Sequence, residues 1–94
     1  MHIDLKIPAA LASECGGARA IAVEVPDGAN LGDLLDAVAA DYPRLARRVR
    51  DEAGQLRRFV NVYVGDDESR RLEGQATPLK AGQPVQILPS IAGG

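Results

Sequence analysis

The chain carries one cysteine, one histidine, no tryptophan, and only one phenylalanine and two tyrosines. Each scarcity removes a class of protein. A lone Cys15 forms no internal disulfide and assembles no cysteine-ligated zinc site. A lone His2, with no Asp/Glu cluster at ligand spacing, leaves no Ser/His/Asp or Cys/His arrangement for nucleophilic catalysis. No G-x-x-x-x-G-K-[ST] loop occurs, so there is no phosphate cradle of that kind. No apolar run approaches the ~20 residues that span a bilayer, and the start lacks a signal-peptide core. The expectation is a soluble cytoplasmic protein with no metal and no membrane partner. Positive charge is also short: 11 Lys plus Arg stand against 13 Asp plus Glu, a net charge of −2. With few aromatics to stack on bases, nucleic acid is excluded as a general partner.

What remains is an aliphatic globule. At 94 residues the chain is one domain, and 46% of it is apolar, so the core is built from Val, Ile, Leu and Ala. Ile3, Leu5 and Ile7 alternate with His2, Asp4 and Lys6, which predicts a half-buried strand ended by Pro8. An apolar loop over 8–17 closes at Gly16-Gly17, and Ile21, Val23 and Val25 alternate in a second strand over 18–25. Asn30 is a predicted N-cap with Asp33 in the first turn. Leu31, Leu34, Leu35, Val38, Ala39 and Tyr42 follow at helical spacing. Pro43 stops or kinks that helix, and a short helical stretch fits 44–50. The run Phe59-Val60-Asn61-Val62-Tyr63-Val64 is the strongest strand. A turn at 65–67, a short edge strand at 70–73, tight turns at 77–79 and 80–83 and a last strand over 85–88 complete the order. This is an α+β roll: a mixed sheet of four to five strands with one main helix packed across it.

Few side chains carry chemistry. Asp66, Asp67 and Glu68 read as a solvated turn rather than a metal site. The basic run Arg44, Arg47, Arg48, Arg50, Arg57 and Arg58 reads as a solvated, partly salt-paired face, with a docking patch for an acidic partner as the alternative. Cys15 has no neighbouring Lys or His to lower its pKa and reads as inert; His2 reads as exposed and idle.

The ending stands apart. Gly93-Gly94 follows the last strand and Pro89, and a segment from Pro89 to Gly94 reaches roughly 20 Å at about 3.3–3.6 Å per residue. Two terminal residues without side chains pass through a narrow channel in a partner, where any Cβ would demand a wider bore. Leu88 and Ile91 beside that tail, with Phe59, form a candidate apolar docking patch.

The strand 59–64 and the ending Ile87-Leu88-Pro89-Ser90-Ile91-Ala92-Gly93-Gly94 resemble the MoaD/ThiS family of ubiquitin-like sulfur carriers. The likeness extends over nearly the whole chain, and the final octet is its most specific part. Arg58-Phe59-Val60-Asn61 and Gln75-Ala76-Thr77 place it nearest in appearance to the actinobacterial carriers of cysteine biosynthesis, with the small subunit of molybdopterin synthase a near neighbour. Two positions depart from the family pattern: Ala81-Gly82-Gln83 replaces a common Asp-Gly-Asp turn, and Ser90 a small residue or proline.

The resemblance implies a β-grasp domain over 1–88 and a flexible C-terminal tail over 89–94. It implies no catalysis and no bound cofactor. An E1-like adenylyltransferase/sulfurtransferase uses ATP to adenylate the Gly94 carboxylate, which becomes a thiocarboxylate. Pro89, Ser90, Ile91, Ala92 and Gly93 thread the partner's active site, and Phe59 and Leu88 contact its surface. The sulfur then passes to a biosynthetic enzyme, for cysteine or for a molybdopterin, thiazole or secondary-metabolite acceptor. Two alternatives stay open: a ubiquitin-like modifier forming isopeptide bonds, and a plain interaction module whose glycines do nothing.

Overall fold

A computed structural model describes residues 1–89. Strands β1 (His2–Lys6) and β2 (Ala20–Glu24) form an antiparallel pair with Leu5 opposite Ile21. Two helices follow, α1 (Leu31–Asp41) and α2 (Pro43–Val49), then β3 (Val60–Val64), the two-residue β4 (Asp67–Glu68) and β5 (Val85–Pro89). The sheet order is β2-β1-β5-β3-β4, with β5 parallel to β1 and antiparallel to β3. The predicted roll is present, and its main helix is accompanied by the short second one.

The alternation of side chains makes this sheet one-sided. Ile3, Leu5, Val60, Val62, Val64, Val85 and Ile87 all point to one face and are 0–3% exposed. Leu31, Leu34, Leu35 and Val38 of α1, and Leu45 and Val49 of α2, are also buried in that core. α1 begins where its cap dictates. Asp33 N donates to Asn30 Oδ1 at 2.8 Å, and Asn30 N donates to Asp33 Oδ2 at 3.0 Å, so two otherwise orphaned amides are satisfied reciprocally. Pro43 ends α1 and opens α2 at its first turn, where its missing N–H costs nothing.

Four expectations change. The segment expected as a loop over 8–17 contains a 3₁₀ helix, Ala9–Cys15, whose Leu11 and Cys15 are buried in the core; Gly16 then reverses the chain at φ +69°. The edge strand is β4 rather than 70–73. Gly65, at φ +64°, makes so tight a turn that pairing resumes at once with Val64 opposite Asp67. Ser69–Arg71 is then a 3₁₀ turn, capped by Glu68 accepting from Arg70 N. The turn expected at 77–79 lies earlier, at Gly74–Ala76, while Pro78 bridges to Asn30 in extended form. Finally, Pro89 closes β5 opposite Val60 instead of opening the tail. The β1 ladder stops at Gln86, so at Pro89 the strand has a free side, and proline is tolerated there.

Candidate functional site

The end of the sheet at which β5 terminates gathers the residues that sequence reasoning separated. Leu88 pairs with Asn61 across β5 and β3, and Pro89 with Val60. Leu88 lies on the face away from the helices and is half-buried, whereas its neighbour Ile87 is 0% exposed in the core. Phe59 immediately precedes β3 and is 60% exposed. An aromatic ring left that open forgoes more than half of the roughly 1.5–3 kcal/mol that full burial gives, unless another surface covers it. Phe59 and Leu88 therefore reach the same end of the sheet. The other predicted site residues, Ser90, Ile91, Ala92, Gly93 and Gly94, lie outside the described residues.

Arg70 was missed as a member of this end, because sequence reasoning placed it in a strand. No local signal marked it; only the tight turn at Gly65 and the capped 3₁₀ turn bring it back alongside β3. Its guanidinium donates from Nη1 to Asn61 Oδ1 at 3.1 Å and from Nη2 to the Arg57 carbonyl at 2.7 Å. Arg57 in turn donates from Nε to the Arg47 carbonyl at 2.8 Å.

The basic run is divided by the fold. Arg44 and Arg48 approach Glu14 at 3.4 and 3.9 Å, and Arg50 meets Asp36 at 2.8 Å and donates to Gln75 Oε1. That part is the salt-paired face expected. A shallow cleft of about 370 Å³ lies in the helical layer, lined by Asp36, Pro43, Arg47, Arg50, Asp51 and Glu52 among others. Charges of both signs line it, and Arg50 in it is already paired.

The remaining candidates are structural. Cys15 is 7% exposed, with Sγ 3.4 Å from the Ala12 carbonyl and 3.5 Å from that of Ala18, so its thiol packs as a small apolar group. His2 is not idle: Nε2 lies 2.8 Å from Asp4 Oδ1 and Nδ1 3.2 Å from Glu24 Oε1. Hydrogen bonds to Asp4 first and Glu24 second hold its pKa above the ordinary imidazole value. Among the described residues no group of three or more His, Cys, Asp or Glu could hold a metal ion, and no helix is long and apolar enough to cross a membrane.

With this geometry in place, the comparisons with known proteins are specific. Residues 6–94 match the model of the ThiS family. The sulfur carrier protein CysO of Mycobacterium tuberculosis is 35% identical over 96 residues, covering 100% of both chains. The crystal structure of small archaeal modifier protein SAMP1 from Haloferax volcanii superposes with a TM-score of 0.84 at 29% identity, covering 100% of both chains. A chain of the Amycolatopsis orientalis BexX/CysO complex superposes at 0.81 with 33% identity, covering 98% of this chain and 99% of that one. These structures share the ubiquitin-like β-grasp, the roll described above.

Proposed function

This chain belongs to the ThiS family of sulfur carriers, proteins that are carriers and not enzymes, and from that premise we propose that its working group is the Gly94 carboxylate. The observation that carries the reading is the join between fold and ending. The ending Leu88-Pro89-Ser90-Ile91-Ala92-Gly93-Gly94 begins with the last two residues of β5, where Leu88 is half-buried and Phe59 is exposed at the same end of the sheet. In this reading 1–88 is the handle, Ser90 to Gly93 thread the partner's channel from the anchor at Pro89, and Phe59 and Leu88 meet the partner's surface.

The chemistry follows from what a carboxylate lacks. Its negative charge repels nucleophiles, and oxide is a poor leaving group. An E1-like partner in the cytoplasm lets the Gly94 carboxylate attack the α-phosphorus of ATP, expelling pyrophosphate and leaving an acyl-adenylate. The terminal sulfur of a persulfide attacks the acyl carbon and AMP departs; a thiol then cleaves the S–S bond, leaving the thiocarboxylate. The ATP is the partner's substrate, and the carrier contributes position and delivery. The sulfur goes to a biosynthetic enzyme; cysteine formation is the acceptor favoured by the 35% identity to CysO, ahead of molybdopterin, thiazole or a secondary metabolite.

Intact-mass spectrometry of the chain co-expressed with its activating enzyme tests this. The expected product is heavier by the difference between sulfur and oxygen, and Gly94→Ala lowers its yield on the order of a hundredfold by misplacing the acyl group, with unchanged thermal melting. A wild-type chain that gains neither sulfur nor adenylate rejects the reading. The likeness to SAMP1 at a TM-score of 0.84 favours a second reading, a modifier joined to lysines. Tagged chain running as high-mass, thiol-resistant conjugates selects that one instead.

A further inference from the structure

If the tail enters a partner, the surface around its exit determines which partner is met. Four arginines gather there: Arg57 and Arg58 before β3, and Arg70 and Arg71 after β4. The Arg70 guanidinium ties the two segments together through the Arg57 carbonyl and Asn61 Oδ1. Arg58, Arg71, Phe59 and Leu72 are exposed around it, Leu72 to 41% and Phe59 to 60%.

The anchors distinguish this group from the rest of the basic run. Arg44 and Arg48 share the Glu14 carboxylate and Arg50 pairs with Asp36, so carboxylates offset most of their charge. Arg57 is held by a carbonyl, and Arg70 by a carbonyl and an amide oxygen. Those neutral acceptors fix the two guanidinium groups in place without themselves cancelling charge. Two carboxylates stand nearby. Glu68, which also accepts from Ser69 Oγ and Arg70 N, forms an ion pair with Arg70 Nη1 at 3.7 Å and offsets that one cation, and Glu73 follows Leu72 in sequence. Four cations thus face two anions on a chain whose net charge is −2. The local sign is opposite to the molecule's.

We propose that this end of the sheet is a cationic collar around the apolar pair Phe59 and Leu88, and that it docks an acidic rim enclosing an apolar pocket on the enzyme that activates the tail. The inference rests on the sulfur-carrier reading and adds the partner's surface chemistry to it. Charge complementarity argues the occupant: the collar attracts an acidic face, while the negative remainder of the chain turns away from wrong approaches. Guanidinium groups already fixed by neutral acceptors lose little side-chain freedom on docking. Phe59 supplies the large apolar anchor on which such interfaces concentrate their energy. Nucleic acid would also meet four arginines, yet Phe59 is the one exposed residue among the chain's Phe and Tyr and the overall field is negative, so an acidic protein face fits better.

The test measures binding of the full chain to the recombinant E1-like adenylating enzyme of the same genome, without ATP, from low salt to about 1 M, where the Debye length is about 3 Å. Wild-type affinity falls steeply with salt. Arg58→Glu/Arg71→Glu weakens binding at low salt at least about tenfold, through the association rate, and flattens the salt dependence. Phe59→Ala weakens it about tenfold through faster dissociation. Arg44→Glu/Lys80→Glu makes the same charge change away from the collar and leaves affinity within about twofold. Thermal melting checks that each variant is folded. Equal loss in the collar and control variants, no loss in either, or no wild-type binding overturns the proposal. So does displacement of the enzyme by a single-stranded oligonucleotide at equal concentration. Collar-dependent binding with no adenylate or thiocarboxylate formed when ATP is added rejects the sulfur-carrier reading alone and leaves the collar standing.

Discussion

The two faces of the sheet divide the protein's work. On the face toward the helices, Ile3, Leu5, Val62, Val85 and Ile87 are essentially inaccessible, and their burial drives the fold. On the other face, His2, Asp4, Lys6 and Gln86 are exposed, and Asn61, Tyr63 and Leu88 are half-covered. Adjacent residues of one strand therefore belong to different functions. Ile87 and Leu88 have similar side chains and differ mainly in direction. Stability belongs to the first and recognition to the second, so a carrier of this design can change partners without redesigning its core.

The largest expected effect breaks that division at its sharpest point. Ile87→Ala leaves a cavity in the core beside Val62, its partner on β3, and costs about 2–5 kcal/mol of stability, read from urea unfolding. Leu88→Ala, one residue on, is expected to cost less than about 1 kcal/mol while weakening engagement of the activating enzyme. Equal losses of stability in the two variants would show that the open face is structural, and the assignment of Leu88 to docking would fail.

A smaller effect sharpens the same comparison at the helix that covers the core. Asn30→Ala removes the acceptor for Asp33 N and breaks the reciprocal pair, costing about 1 kcal/mol. Asn30→Gly keeps a permissive cap backbone and is expected to cost only a few tenths of that. Both variants should retain full activation, because the cap touches only the covered side of the molecule. Loss of activation with stability preserved would place α1's start in the recognition surface.

Much of this arrangement was legible in the residues. Period-two alternation identifies β1 and β2, β-branched and aromatic content identifies β3, and the Asn30/Asp33 pair locates the helix start within the chain. Phe59 and Leu88 were named as a patch from their nearness to the ending, though nothing in the sequence told which way Leu88 points. The segments misread were those governed by distant contacts. Ala9–Cys15 is a 3₁₀ helix whose Leu11 and Cys15 are buried in the core, and a segment of barely two turns is too short for its periodicity to stand out. Arg70 joins the site through a turn and two carbonyl-scale contacts, which no local pattern encodes. The basic run is uniform in sequence, and only the partners of the guanidinium groups separate Arg44, Arg48 and Arg50, which meet carboxylates, from Arg57, which meets a backbone carbonyl.

The smallest expected effect belongs to the open face far from the tail. His2 sits between Asp4 and Glu24, whose hydrogen bonds favour its protonated form and raise its pKa in the folded chain. In the unfolded chain the ring titrates near the ordinary value of about 6.5. The extra stability is therefore fully present below that unfolded value and is lost as pH rises through the higher folded one. The ring and both carboxylates are exposed, at 54%, 68% and 74%, so solvent screens the contacts and the contribution is slight. Subtracting the melting temperature of His2→Gln from that of the wild type between about pH 5 and about pH 9 should leave a small positive difference at the acid end that vanishes toward the alkaline end. Proton NMR of the His2 ring should report a midpoint above the peptide value. A midpoint at or below it would mean that the two carboxylates point away in solution, and the open face would then carry no electrostatic order at that edge.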